Sequence, residues 1–346
     1  MQGTHQISSK LSHTGNPYDP VTAVLYGQFI EAAYAMYDAD PKNLTPPRSS
    51  NFPSGYQLTA WVQMQDFIIE STGPTFYGII AQSETVPNQF VLAIRGTSTW
   101  VEWWDDLNAI RLVPFKDQRS GLVGAGFARI YDTLEVVSHP IGALAEPAAP
   151  QPLRPAGGFA QQMSALVRRR AAGPARAEAV TPPVSIVVTG HSLGAALATL
   201  YVLDNALTER IHNPLIYTFA SPRVGDSTFA SAFNALSLTS WRIDNLPDVV
   251  PYLPLGFTHV DSLKQYDSLT TVWPSPSCWH ALATYLSLID PKLKPDPSCQ
   301  WLALAEAPAR AAAPALTQAP APAAASQSVP AGPVTVNITI NVGTRG

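Results

Sequence analysis

Charge is scarce in this chain. Asp, Glu, Lys and Arg make up 13% of its 346 residues, and the net charge is −4. With a pI near 6.0, no basic footprint for nucleic acid is present. Cysteine is scarcer still. Cys278 and Cys299 are the two in the chain, so one internal disulfide is the most it can form, and two reduced thiols are the alternative. The pair brackets a predicted helix across a 21-residue step. No apolar run approaches the roughly 18 residues of a membrane span. The opening ten residues hold no basic region followed by an apolar one, so no secretory signal is read there. A cytoplasmic location is the default expectation, with non-classical export as the other route.

What remains is mostly apolar: 46% of the residues are hydrophobic, and there are 33 prolines. A chain of this length can bury a full core, which suits one large α/β domain with appendages. Residues 20–38 read as a helix, with Ala23, Tyr26, Ile30, Tyr34 and Tyr37 near helical spacing. Strand-like stretches follow at 58–69, 75–81 and 89–94, and helical ones at 100–107 and 126–137. The connection over 138–183 holds a Pro/Ala linker at 145–158, then a helix at 159–172 whose Arg168, Arg169 and Arg170 read as a solvated, basic helix end. Beyond it, strands at 185–189, 215–219 and 240–243 alternate with helices, the last at 280–289. Such alternation predicts a mostly parallel central sheet with helices on both faces. The expected domain runs over 1–305, with 138–183 as an insertion. An Ala/Pro-rich, disordered or extended linker at 306–333 leads to a β-prone segment at 334–346, suited to edge pairing or self-association.

Chemistry concentrates at Gly190-His-Ser-Leu-Gly194. Ile186, Val187 and Val188 precede it as a buried parallel strand, and an alanine-rich helix follows. In that setting Gly-x-Ser-x-Gly puts the hydroxyl of Ser192 on a strained strand-to-helix turn, beside the free N–H groups of a helix start. A serine needs a base, and the base needs an acid to orient it; in such a sheet they follow in the order Ser, acid, His. Among Asp204, Asp226, Asp244, Asp248 and Asp261, Asp248 is favoured because it lies in a loop beyond the carboxyl end of a strand. Asp244 is its competitor, and Asp226 reads as a helix cap. Among His212, His259 and His280, His280 is favoured: it opens the last helix, whereas His259 lies in a strand-like stretch at 257–260. His191 reads as a packed core histidine. The backbone N–H of Leu193 and the N–H and hydroxyl of Thr97, after the strand at 89–94, are the candidate oxyanion donors.

Taken together, Arg95-Gly-Thr97, Glu102-Trp-Trp-Asp-Asp-Leu107, Gly126-Phe127, Val187–Leu200, Phe219-Ala-Ser-Pro-Arg-Val-Gly225, Asp248-Val-Val-Pro251 and His280 resemble the fungal-type (class 3) triacylglycerol lipase family. The resemblance covers roughly residues 90–290. It implies the α/β-hydrolase fold, a triad of Ser192, Asp248 and His280, an oxyanion hole of Thr97 and Leu193, and a mobile segment over 98–104. In that segment Trp100, Trp103 and Trp104 are candidates for contact with a lipid surface, Trp103 and Trp104 serving equally well as core anchors. Gly124 stands where the family usually has a histidine, and neither the long 138–183 connection nor the Ala/Pro tail is a family feature.

The function expected on these grounds is a serine carboxylic ester hydrolase, a lipase acting on acyl esters of glycerol. It needs no metal and no cofactor, and its partner is a lipid or ester substrate at a lipid–water interface. A phospholipase A or a feruloyl-type esterase is the alternative within the same fold. An inactive hydrolase fold used for binding or delivery is the alternative outside catalysis.

Overall fold

The computed structural model describes residues 17–65, 73–97, 111–138, 156–172, 183–208, 211, 214–260 and 262–301, all within one compact unit, Met1–Trp301. Trp100, Trp103 and Trp104, the helix expected at 100–107, the Pro/Ala linker up to residue 155, His212, Asp261 and the tail with its β-prone segment lie outside the described residues.

The first helix, α1 (Pro20–Ala39), starts at Asp19, whose side chain accepts from the N–H groups of Val21 and Thr22, with Pro20 in the first helical position where its missing N–H costs nothing. The strands β1 (Tyr56–Gln65), β2 (Pro74–Ser83) and β3 (Gln89–Ile94) pair antiparallel in sequence. A two-stranded ribbon of β4 (Leu112–Pro114) and β5 (Leu122–Gly124) leads into α2 (Ala125–Tyr131) and β6 (Glu135–Ser138). Then come α3 (Phe159–Ala172), β7 (Ser185–His191), α4 (Leu193–Leu207), β8 (Leu215–Phe219), α5 (Ser227–Asn234), β9 (Ser240–Asn245), β10 (Leu263–Tyr266), α6 (Pro276–His280) and α7 (Leu282–Ile289).

Among the described residues the main sheet has eight strands in the order β10-β9-β8-β7-β3-β2-β1-β6. From β3 through β7, β8 and β9 to β10 every pairing is parallel, whereas β2, β1 and β6 continue the sheet antiparallel. Alternation along each strand divides the core. Phe90, Leu92 and Ile94 of β3 and Ile186 and Val188 of β7 face one layer, shared with Phe127, Phe159, Tyr201 and Phe229 of the helices α2 to α5. Val91, Ala93 and Val187 face the other, built on Phe29, Ile30 and Met36 of α1 and Tyr285 and Leu286 of α7. Two-sided burial is what continuous apolar β3 and β7 require, and it gives helices on both faces.

Three local expectations change. The helix read over 126–137 stops at Tyr131, and residues 135–138 pair with Gln63 to Ala60 of β1; for β-branched Val136 and Val137, a sheet edge beats another helical turn. The final helix is two pieces, broken at Ala281 (φ −59°, ψ 131°), so His280 closes α6 instead of opening the last helix. The strand read at 257–260 reduces to one bridge between Thr258 and Gly225. The short β4, β5 and β10 were not anticipated.

Candidate active site

One residue, Ser192, separates the end of β7 from the start of α4. Its φ is 56° and its ψ −125°, a conformation costing a non-glycine residue about 1–3 kcal/mol. The turn is held by the Ser192 N–H donating to the Phe219 carbonyl at 3.0 Å, and by the Ser192 carbonyl accepting from Ala195 N–H at 2.9 Å. A Cβ on Gly190 would collide with the Gly194 carbonyl, and one on Gly194 with the Ile94 and Arg95 carbonyls. Both motif glycines are therefore demanded by close backbone approach. Ser192 is left at the carboxyl rim of the sheet, its hydroxyl clear of the helix ladder.

The other two groups arrive from the segments that follow β9 and β10. After β9, Asp248 N–H donates back to the Asn245 carbonyl at 2.9 Å, and the tight turn carries its carboxylate under the rim. His280 arrives at the end of α6. Its Nε2 lies 2.9 Å from Ser192 Oγ and its Nδ1 2.8 Å from Asp248 Oδ2. A carboxylate only accepts, so Nδ1 carries the hydrogen and Nε2 is the acceptor facing the hydroxyl. All three side chains are buried. Asp248 is further held by Val250 N–H at 3.0 Å on Oδ1 and by the Tyr285 hydroxyl at 2.7 Å on Oδ2. Burial, and then the charge of Asp248, push the Tyr285 phenol well above its ordinary pKa, so it remains a donor. Together these groups can draw a proton from the hydroxyl to the imidazole while a fixed carboxylate balances the charge.

Leu193 opens α4, and its N–H has no acceptor within the helix. Thr97, just past β3, is buried, and its hydroxyl has no hydrogen-bond partner among the described residues. A cavity of about 520 Å³, lined among others by Glu31, Tyr34, Thr97, His191, His280 and Leu282, opens beside Thr97 and His280. That size suits a small-molecule site.

The competing candidates have other duties. Asp226 caps α5, accepting from Phe229 N–H, and also from Leu122 N–H. Asp244 pairs with Arg242 inside the protein, and burial pushes its carboxyl up to about 6 despite that guanidinium. Asp204 accepts from the Tyr131 hydroxyl at 2.8 Å. His259 hydrogen-bonds the Pro251 carbonyl, and burial lowers its pKa to about 3. His191 hydrogen-bonds the Tyr34 hydroxyl and the His280 carbonyl.

Residues 91–257 match the family model described as Lipase (class 3). Over that stretch, just under half of its length, the chain is similar to class 3 lipases. It is 25% identical to the chloroplastic phospholipase A(1) DAD1 of Arabidopsis thaliana over 284 residues, covering 72% of this chain and 59% of that protein. It is 33% identical to phospholipase A1-II 3 of Oryza sativa subsp. japonica over 225 residues, covering 58% and 48%. It thus spans roughly half to three-fifths of the length of these two relatives. In fold it is similar to the lipase from Rhizopus microsporus var. chinensis, with a TM-score of 0.52, 18% identity and coverage of 72% and 75%.

Two phenols of the site carry no motif in the sequence. Tyr285 lies on α7, and its spacing there reads as a core position. Tyr34 reads in the sequence as one member of an apolar stripe on α1. Only the oxygen at the ring tip distinguishes either from a buried phenylalanine, and its partners come from other elements. Cys278 and Cys299 are joined by a disulfide, two residues before His280. Gly124 donates its backbone N–H to the Val224 carbonyl at 3.0 Å, tying the start of α2 to the segment after β8.

Proposed function

We propose that this protein is a serine carboxylic ester hydrolase acting on acyl esters of glycerol lipids. The hydrogen-bond line from Ser192 through His280 to Asp248 carries the reading, and the match of residues 91–257 to the class 3 lipase model supports it. Ser192 attacks the ester carbonyl. His280 takes the serine proton and passes it to the leaving alcohol, while Asp248 holds the imidazole tautomer. The N–H of Leu193 and the N–H and hydroxyl of Thr97 receive the oxyanion. Water activated by His280 then releases the acid from the acyl-enzyme. Trp100, Trp103 and Trp104 enter this reading as the residues that meet a lipid surface.

A second reading draws on the names of the two curated relatives, both phospholipases A1: the acyl group removed is that of a phospholipid. Triacylglycerol emulsions and phosphatidylcholine vesicles presented side by side separate the two. A preference for short soluble aryl esters with no gain at an interface favours a feruloyl-type esterase over both.

A fluorophosphonate probe followed by peptide mapping tests the shared chemistry. It should label Ser192, and Ser192→Ala should lose labelling and about four to six orders of magnitude in turnover. Absence of labelling in the folded wild type would leave a non-catalytic binding role.

A further inference from the structure

The two halves of the site share a brace that the proton-transfer line does not include. On one side, Gly96 is held through both its carbonyl and its N–H. Arg95 donates Nη1–H to the Gly96 carbonyl at 2.8 Å and is itself fixed by two bonds to the Phe76 carbonyl, at 3.1 and 2.7 Å. Its guanidinium lies over the Tyr37 ring, 3.6 Å from the centroid. The Gly96 N–H donates to the Tyr34 hydroxyl at 2.7 Å. In a trans peptide the carbonyl and the following N–H point opposite ways. A Gly96 carbonyl clamped by Arg95 therefore dictates where the Thr97 N–H points.

On the other side, the Tyr34 oxygen lies 2.9 Å from His191 Nδ1, and His191 Nε2 lies 2.8 Å from the His280 carbonyl. A carbonyl accepts, so Nε2 carries the hydrogen and the neutral ring leaves Nδ1 as an acceptor. Tyr34 has one hydrogen to give, and it goes to Nδ1 while its lone pair receives the Gly96 N–H. The donors then run in one direction: Gly96 to Tyr34, Tyr34 to His191, His191 to the backbone of His280. The rings of His191 and His280 are 4.8 Å apart. Burial, and then the neighbouring His280, hold the His191 pKa well below its ordinary value, so no second positive charge opposes protonation of His280.

We propose that Tyr34 is a positioning residue which, through His191, ties the loop presenting the Thr97 N–H to the segment bearing His280, so that oxyanion donor and base keep one geometry. This rests on the ester-hydrolase reading above, because a brace between donor and base matters only if both act on one carbonyl. Tyr34 touches no reacting atom; its effect passes through Gly96 and His191.

Tyr34→Phe keeps the ring and removes the oxygen. On a soluble nitrophenyl ester it should lower kcat roughly 10- to 100-fold, as a sub-ångström misplacement of reacting groups does. KM should stay within about twofold, and fluorophosphonate should titrate the same fraction of sites as in the wild type. His191→Phe should give the same split from the other end of the brace. A kcat within twofold of wild type in Tyr34→Phe overturns the proposal, as does a loss that merely tracks fewer titratable sites. The brace is also read without catalysis: ¹⁵N spectra of imidazole-labelled wild type at neutral pH should show His191 neutral, with its hydrogen on Nε2. A hydrogen on Nδ1, or an imidazolium, overturns it. If fluorophosphonate fails to label wild-type Ser192, the hydrolase reading itself falls, whatever those spectra show.

Discussion

At the scale of single residues, Thr97 is the informative case. A buried hydroxyl with no partner among the described residues costs about 1–3 kcal/mol, and in the proposed mechanism a developing oxyanion is the partner it would take. Thr97→Val removes the oxygen at nearly constant shape. Melting temperature should stay level or rise, while kcat on a soluble ester falls about 100-fold, the loss typical of one oxyanion donor. A large fall in melting temperature with unchanged kcat would make the hydroxyl structural. The same scale shows what could be read in advance. Ser192, Asp248 and His280 were legible because a parallel sheet gathers at its carboxyl rim whatever follows its strands, and each follows a strand or a Pro/Ser-rich loop. His191 was legible as a packed residue, but not as a bridge. Its partners, Tyr34 and the His280 carbonyl, lie 157 and 89 residues away in sequence, and no local pattern encodes a contact of that range.

Among the elements, α6 has the least support of its own. Five residues, Pro276–His280, are far too few for a helix to persist unaided. It is secured from outside. Ser275 caps it through Cys278 N–H, Asn245 Nδ2 donates to the Trp279 carbonyl at 2.8 Å, and the Thr284 hydroxyl donates to the Cys278 carbonyl at 2.6 Å. The disulfide closes a 21-residue step, worth about 3 kcal/mol in the chain-entropy account. Replacing both cysteines by serine should lower the urea-unfolding free energy by about 2–4 kcal/mol. It should also reduce kcat more than it raises KM, because His280 is two residues from the lost tether; full kcat with reduced stability would show that the other anchors suffice. Elements with strong internal patterns, β3, β7, β8 and α4, were readable because two-sided burial leaves unbroken apolar runs. The short β4, β5, β10 and the edge strand β6 were not. Three- and four-residue strands are chosen by what lies beside them, and the strand preference of Val136 and Val137 spans too few residues to mark β6 on its own.

Across the whole molecule, acid acts through buried neutral imidazoles. His191 and His259 both titrate below the ordinary 6.5 in the fold, His259 near about 3. The unfolded chain therefore takes up two protons below pH 6.5 that the folded one refuses, and stability present above that pH is lost as pH falls. Asp244, raised to about 6, works oppositely, because its folded carboxyl binds a proton the unfolded one does not. The balance over these described groups is a loss of about 2 kcal/mol between pH 7 and 5.5, to be read from urea unfolding at the two values. Constant or rising stability would show that other groups dominate. The mostly parallel sheet with helices on both faces was legible from strand–helix alternation; the antiparallel continuation through β2, β1 and β6 was not, because pairing partners are a property of the finished sheet. The placement of His280 has a further consequence during synthesis. The imidazole is added 88 residues after the serine it faces, and its cystine partner, Cys299, comes later still. A growing polypeptide therefore carries the Ser192 hydroxyl without its facing imidazole until almost all of the folded unit has left the ribosome.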